Sequence, residues 1–243
     1  MTMPQELPTN GSQETKLQSI PTPLDDSTIV LTEDQALAQL KDGDLTVEAV
    51  ERISQNSALM KSRKVHMAVA AHLRTPRRIA LRLIRELYTF QLMKFALTPT
   101  AAAELKHIAE ELLLARLAAI TLGERITLAR RSSERVAGAL LLDKETRVWQ
   151  TALENARLTE AVVVRALQRG GSPAFVEAVS HHAKWSVRPE VQIALLRNAH
   201  TPLAQAIKFA RRLSAHQLRD ILRTSRLPEK IKSYLRKVKE SGQ

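Results

Sequence analysis

The chain has 243 residues, a formal net charge of +12 and no cysteine. This length is sufficient for one large domain or two small ones with a substantial core, and the absence of cysteine excludes disulfides, thiolate metal sites and a cysteine nucleophile. Aromatic residues make up only 3% of the sequence, so a core must be built mainly from Leu, Ala, Val and Ile, which packing of helix on helix permits.

Charge is distributed unevenly along the chain. Residues 1–60 hold 3 Lys or Arg against 10 Asp or Glu, whereas residues 61–243 hold 34 against 15. An acidic N-terminal part on so basic a body indicates either an acidic partner, such as a protein or a nucleic-acid backbone, or a tail that screens the charge of its own protein. The N-terminus lacks the pattern of a secretory signal, and the most apolar window, residues 112–122, contains Arg116 and is too short to span a bilayer. We therefore predict a cytoplasmic protein without membrane insertion.

The first part of the chain predicts a tail followed by two short helices. Residues 1–30 are rich in Pro, Ser, Thr and Gln and show no apolar period, which is typical of a disordered acidic and polar tail. A helix is predicted from Thr32 to Gly43, and another is predicted around Val47 and Val50. We expect residues 31–243 to form one α-helical repeat domain.

Helices are predicted through the rest of the chain, and strand signals are absent. The expected positions are Ser57–Leu73, Pro76–Leu87, Tyr88–Leu97, Thr100–Ile120, Ile126–Ala129, Ser133–Leu142, Thr146–Glu154, Thr159–Gln168, Pro173–His181, Pro189–Arg197, Pro202–Leu213, Ala215–Arg223 and Pro228–Lys239. The longest of these helices has an apolar face broad enough for burial on two sides or for packing on a second copy.

Local signals at the helix starts support these boundaries. Every proline outside the tail stands where a helix would begin, because proline is tolerated at the first helical position. Four of these prolines follow a residue expected to cap the helix through its side-chain oxygen, namely Thr75, Thr98, Ser172 and Thr201. Ser214 and Gln217 have the spacing of a capping box.

Two stretches of the chain are near-copies of each other. Residues 65–92 and 191–218 match at nine of 28 positions without a gap, and both contain a Thr-Pro pair between two predicted helices. Similar segments begin at Val148 and, with weaker similarity, at Phe175. In all four segments a predicted helix ends on a polar residue: His72, Asn155, His182 or Asn198. We interpret these residues as helix C-terminal stops, because Asn tolerates left-handed backbone and its side chain satisfies carbonyl groups.

The repeated segments resemble the short bacterial α-helical repeats that are related to HEAT repeats and to the leucine-rich-repeat variant. The stretch 122–160, LGERITLARRSSERVAGALLLDKETRVWQTALENARLTE, is similar to functionally uncharacterised bacterial proteins of that kind. The resemblance covers about residues 45–240. It implies an all-α, HEAT-like solenoid of short antiparallel helix pairs that serves as a non-enzymatic scaffold or adaptor for another protein.

Basic residues recur at equivalent positions of the aligned repeats. Arg82, Arg165 and Lys208 share one position, Arg85 and Arg211 share a second, and Arg169 matches Arg212. Equivalent positions of a solenoid stack along one side, so a basic ladder is predicted there. The candidate binding residues are Arg78, Arg82, Arg85, Arg165, Arg169, Lys208, Arg211 and Arg212. The ladder is either a solvated face or a surface for an acidic protein segment or for nucleic-acid phosphates; the nucleic-acid function is the alternative to the scaffold.

The sequence predicts no catalytic, metal or cofactor site. Adjacent helical residues diverge by about 100°, so His181 and His182 are unsuited to holding one metal ion. Gly170 and Gly171 predict a turn and not a phosphate-binding loop. Some HEAT-like proteins are DNA glycosylases that use aromatic residues and an Asp. In this chain both tryptophans lie in segments whose pattern predicts that they pack in the core, and no Asp stands one helical turn from either of them.

Overall fold

The computed structural model of the chain describes residues 31–240, and all regular secondary structure within this range is helical. The tail predicted for residues 1–30 lies outside the described residues. The helices are α1 (Glu33–Gln39), α2 (Val47–Gln55), α3 (Ser57–Met60), α4 (Arg63–Ala71), α5 (Arg77–Arg85), α6 (Thr89–Ala96), α7 (Ala103–Arg116), α8 (Leu122–Arg131), α9 (Glu134–Leu140), α10 (Thr146–Leu153), α11 (Glu160–Gln168), α12 (Pro173–His181), α13 (Pro189–Arg197), α14 (Leu203–Ala210), α15 (Ala215–Thr224) and α16 (Glu229–Glu240). The all-α prediction is confirmed for this range.

Most predicted helix boundaries are within a few residues of the observed ones. The largest difference is at Ser57–Leu73, which was expected to form one helix and is divided into α3 and α4. The division occurs because the hydroxyl of Ser62 accepts a hydrogen bond from the backbone N–H of Val65 and so starts a new helix. A second difference is α8, which extends well beyond the predicted Ile126–Ala129 because a capping box formed by Thr121 and Glu124 begins it earlier.

Several helix starts have the expected capping chemistry. The Ser214–Gln217 capping box is present at α15, and Thr32 caps α1. The capping prediction is also correct for Ser172, which accepts from the backbone N–H of Phe175 at 3.2 Å. Pro173 and Pro189 occupy the first turns of their helices, as predicted.

The capping prediction is wrong for the three threonines that precede a proline. Thr75 and Thr201 donate backwards, to the carbonyl oxygens of Val69 at 2.5 Å and Leu195 at 2.6 Å. Thr98 likewise donates to a carbonyl oxygen, that of Lys94. A threonine hydroxyl is both a donor and an acceptor, and at these sites it donates to a carbonyl oxygen near the end of the preceding helix that also accepts a backbone N–H. The threonine therefore closes one helix, while Pro76 and Pro202 are the N-cap residues of the next helices, α5 and α14.

Contacts between helices follow chain order. All extensive contacts join helices that are one or two positions apart along the chain, except for the contact of α1 with α4. The odd-numbered helices α5, α7, α9, α11, α13 and α15 each contact the next member of that series. The even-numbered helices from α2 to α12 do the same. Each helix is thus packed by its neighbours in sequence.

A recurrent set of hydrogen bonds joins the end of one helix to the end of the helix two positions earlier. The donors are side chains at helix C-termini, and the acceptors are terminal carbonyl oxygens: Asn155 to Ala129 at 2.8 Å, Asn198 to Leu167 at 2.9 Å and Ser225 to Leu196 at 2.6 Å. His72 makes the matching contact through Nε2 to the carbonyl oxygen of Asp42, after α1. The side chains of His72, Asn155 and Asn198 thus satisfy carbonyls as predicted, but that of His182 contacts Oε1 of Glu154 instead. The backbone of His72, His182 and Asn198 is extended and not left-handed.

The core is built mainly from aliphatic side chains with a few buried rings. Trp185, Phe95, Phe175 and Phe209 are the largest fully buried side chains. Trp185 also donates from its indole nitrogen to the carbonyl oxygen of Leu153 at 3.0 Å, so the prediction that it is a packing residue is confirmed. Over residues 31–240, no helix combines the length and apolar character needed to cross a membrane.

Candidate functional site

Arg78, Arg82 and Arg85 lie on the exposed side of α5. They line a surface pocket of about 610 Å³ together with Leu81 and Glu86. The opposite side of the helix is buried through Ile79, Ala80, Leu83 and Ile84. The predicted division of this helix into a basic face and an apolar face is therefore confirmed, since basic residues spaced by four and three positions share one side of a helix.

Arg165 and Arg169 lie in a second pocket, of about 520 Å³, which is bounded by α7, α9 and α11. A third arginine, Arg135 of α9, lines the same space. The rest of the lining consists of Gly138, the apolar residues Leu114, Ala139, Leu142, Val162 and Ala166, and one acid, Glu134, whose carboxylate accepts a hydrogen bond from the hydroxyl of Thr159. We call this space the α9–α11 pocket. It offers a mixed surface that combines guanidinium groups with aliphatic side chains.

Close packing of α9 against α11 shapes this pocket. Gly138 faces Val162, and a Cβ atom added at Gly138 would lie 2.5 Å from Cγ1 of that residue. A larger residue at this position would force the two helices apart. Leu142, just after α9, is 40% exposed and extends the apolar part of the pocket to the protein surface.

Among the described residues, Arg135 forms an ion pair with an acidic side chain, whereas Arg165 and Arg169 form none. Arg135 pairs with Glu111, and its Nη1 contacts the ring of His107. In the described part of the chain, Arg165 makes only a long contact of 3.4 Å from Nε to the carbonyl oxygen of Ala161. The two free guanidinium groups are one helical turn apart at the end of α11, where the helix dipole also favours positive charge.

Lys208, Arg211 and Arg212 lie at the C-terminal end of α14, apart from the other candidate residues. The extensive contacts of α14 are with α13 and α16, so Lys208 is outside the odd-numbered series that contains Arg82 and Arg165. The helices α5 and α11 are an even number of helices apart and belong to the same series, whereas α14 is an odd number of helices from each of them. The structure places the candidate residues in separate groups on α5, α11 and α14.

Arg211 lines a third pocket, between α14 and α16, which we call the α14–α16 pocket. Its volume is about 570 Å³, and its remaining lining is Ala210, Tyr234, Leu235, Lys237, Val238 and Lys239. Arg211 is one of the candidate residues predicted from the repeats, whereas the lysines of α16 are not, because they do not occupy a repeated position. The lining contains three cations and no acid.

All eight candidate side chains are exposed. Within the described residues none of them forms an ion pair with an Asp or Glu, in contrast to Arg77, whose Nη2 is 2.6 Å from Oε1 of Glu104. This hydrogen bond, together with the charge of Arg77, lowers the pKa of Glu104. Their exposure and lack of acidic partners leave the eight candidates accessible to an anionic ligand.

The adjacent histidines of α12 point to different partners. His181 contacts the carbonyl oxygen of Glu177 through Nδ1, whereas His182 contacts Oε1 of Glu154 through Nε2 at 3.0 Å. Across the described range, no group of three or more His, Asp or Glu side chains is arranged to hold a metal ion.

No protein-family model, curated protein or solved structure matches the chain. Residues 31–240 are all-helical, and their sixteen helices are compatible with an α-repeat protein.

Proposed function

We propose that the chain is a non-enzymatic binding scaffold or adaptor for another protein, with its helices arranged as a HEAT-like solenoid of short antiparallel pairs. The contact pattern supports this arrangement, because a solenoid repeat contacts mainly its neighbours in sequence. The recurrent hydrogen bonds from helix ends to the carbonyls of earlier helices also support it. A bacterial origin and a cytoplasmic location are part of the same proposal.

The lining of the α9–α11 pocket is the observation that supports protein binding. Protein interfaces combine apolar contact with specific polar anchors, and arginine is enriched in them. This pocket places the aliphatic side chains of Leu142 and Val162 beside two free guanidinium groups. The long helix α7 adds the half-buried side chain of Leu114 to the apolar lining.

The partner segment that fits this pocket has an acidic side chain next to an aliphatic or aromatic one. The carboxylate would pair with Arg165 and Arg169, which match its planar geometry, and the apolar group would cover Leu142. Apolar contact makes this binding less sensitive to salt than binding by charge alone. A scaffold of this kind therefore retains its partner in moderately high salt.

The proposal is tested by blocking the pocket without changing its charge. Ala139 is exposed on α9 and lines the pocket, whereas Ala204 is exposed on α14 and does not line it. A photo-crosslinking residue at position 139 should capture a protein that the same residue at position 204 does not. The purified partner should then bind the Ala204→Trp variant normally and the Ala139→Trp variant at least tenfold more weakly. Equal affinity for the two variants would refute the assignment.

A second candidate function is binding of nucleic-acid phosphates through the repeated basic residues. The exposure and the lack of acidic partners of all eight side chains support it. The test is a fluorescence-anisotropy titration of labelled duplex DNA and RNA at several salt concentrations. It compares the original chain with the triple variant Arg82→Gln, Arg165→Gln, Lys208→Gln. Phosphate binding by these residues requires an affinity that falls steeply with salt, with a slope that is smaller in the variant by about 0.9 for each lost phosphate contact.

A further inference from the structure

We propose that the α14–α16 pocket binds single-stranded nucleic acid, with one base against the ring of Tyr234 and the adjoining phosphates on Arg211 and Lys239. This site is separate from the α9–α11 pocket and does not depend on the protein-binding function proposed above. Its ligand class is a polynucleotide whose bases are unpaired, bound without reading of the base sequence.

The electrostatic part of the site comes from two helices. Arg211 is the C-cap residue of α14, and Lys237 and Lys239 lie on α16. Nζ of Lys239 is 3.5 Å from the carbonyl oxygen of Arg211, so these two residues approach each other across the pocket. Residues 203–240 hold eleven Lys or Arg against three Asp or Glu. Such a concentration of positive charge attracts phosphates and steers their approach.

Tyr234 supplies an aromatic ring, which a simple cluster of charges lacks. Its side chain is 47% exposed, and in the part of the chain that the structure describes no other ring or cation stacks on it. The other tyrosine, Tyr88, is held by Arg63, whose guanidinium lies 4.3 Å from the ring centroid and donates to the hydroxyl at 2.8 Å. Tyr234 is therefore the tyrosine that offers an unoccupied aromatic face beside cations.

The arrangement around Tyr234 favours an unpaired nucleotide over other anions. Tyr234, Lys237 and Val238 are spaced by three and four positions and so share one side of α16. Unpaired bases stack on aromatic side chains while neighbouring cations contact the phosphates. A duplex keeps its base faces covered, and an acidic peptide has no flat ring in a fixed relation to its charges.

The test is fluorescence anisotropy with the full chain and three probes of equal length: a labelled oligo-dT 12-mer, an oligo-rU 12-mer and a DNA duplex. We expect tighter binding of the single strands than of the duplex. Tyr234→Leu keeps the bulk of the side chain but removes the aromatic face, and it should weaken single-strand binding about tenfold. Tyr234→Phe retains the ring and should bind like the original chain, as should the control Tyr88→Leu.

The contribution of charge is tested with two variants that have the same net charge. Arg211→Gln changes a residue that lines the pocket, and Arg219→Gln changes an exposed residue of α15 that neither lines it nor belongs to the eight candidates. Arg211→Gln should lower the slope of log affinity against log salt by about 0.7, the value for one phosphate of a single strand, and Arg219→Gln should change it less.

Four outcomes would overturn the proposal. They are an absence of binding at low salt, duplex binding as tight as single-strand binding, equal effects of Tyr234→Leu and Tyr88→Leu, and equal effects of Arg211→Gln and Arg219→Gln. A labelled oligo-glutamate 12-mer that binds as tightly as oligo-dT would also refute it, because the pocket would then recognise polyanions in general. Circular dichroism of each variant establishes that it is folded.

Discussion

Nδ2 of Asn198 donates to the carbonyl oxygen of Leu167 at 2.9 Å, while Oδ1 of the same side chain accepts from the backbone N–H of His200 at 3.0 Å. One buried amide group thus joins the end of α13 to the end of α11 and also fixes the turn that follows α13. His72 repeats this pattern with a ring: Nδ1 contacts the N–H of Arg74, and Nε2 contacts the carbonyl oxygen of Asp42. Asn and His are interchangeable here because each presents an acceptor and a donor on the same planar group.

The first prediction concerns substitutions of Asn198. Asn198→Asp removes the donor and places a charge against the carbonyl oxygen of Leu167 in a buried position, so it should lower the free energy of unfolding by about 3 kcal/mol. Asn198→His keeps one donor and one acceptor and should cost less than half as much. Urea denaturation of both variants at pH 8 measures the difference. Equal losses for Asp and His would show that the donor to Leu167 does not stabilise the fold.

The second prediction concerns the packing of α9 on α11. Gly138→Ala should destabilise the fold by about 1–3 kcal/mol through overpacking against Val162, even though Ala is the better helix former. Gly123 is also helical, but a Cβ atom there would meet nothing within 4 Å, so Gly123→Ala should stabilise the fold by about 0.5 kcal/mol.

Thermal or urea unfolding distinguishes the two glycine variants. The double variant Gly138→Ala, Val162→Ala should recover part of the loss, because it removes the atom that the new methyl group meets. If Gly138→Ala stabilises the protein as Gly123→Ala does, the close approach of the two helices is not required.

The third prediction concerns the ion pair between Arg77 and Glu104. Arg77 lowers the pKa of Glu104 below its ordinary value of 4.5, first through the hydrogen bond and then through its charge. A carboxyl group whose pKa is lowered by folding stabilises the folded state fully above its ordinary pKa, and this contribution is lost as the pH falls through the lowered value. Arg77→Gln should therefore raise the pKa of Glu104 towards 4.5.

An NMR titration of the Glu104 carboxyl group measures this change. Arg78→Gln is the matched control, because Arg78 is exposed on the same helix and forms no ion pair within the described residues, and it should leave the pKa of Glu104 nearly unchanged. Both partners of the ion pair are exposed, so the unfolding midpoint should change little. Equal pKa changes in the two variants would assign the effect to net charge instead of to the ion pair.

Helix positions were predictable from the sequence because their signals are local. Proline, capping side chains and the apolar period act within one or two turns, and they placed α12 and α13 at their observed boundaries. The role of the Thr75 hydroxyl was harder to predict, because a threonine before a proline can accept a hydrogen bond from an N–H group of the next helix or donate one to a carbonyl of the preceding helix. Only the three-dimensional structure shows that the carbonyl of Val69 is the partner.

The sequence predicts that the candidate residues are exposed cations, but it does not predict which of them lie close together in the structure. Alignment of the repeats gives Lys208 the same position as Arg82, yet the two lie on helices of different series because the copies are offset by an odd number of helices. Arg135 has no counterpart in the aligned repeats and joins Arg165 only because Gly138 lets α9 approach α11. Such juxtapositions depend on distances between helices, which the sequence pattern does not specify.

The hydrogen bonds at the helix ends have a direction along the chain. In each of them the donor comes later than the acceptor: His72 after Asp42, Asn155 after Ala129, Asn198 after Leu167 and Ser225 after Leu196. A ribosome makes the chain from its N-terminus, so every acceptor leaves the ribosome before the side chain that will bind it. A newly made helix can therefore dock on one that already exists, and the protein can fold progressively during its own synthesis.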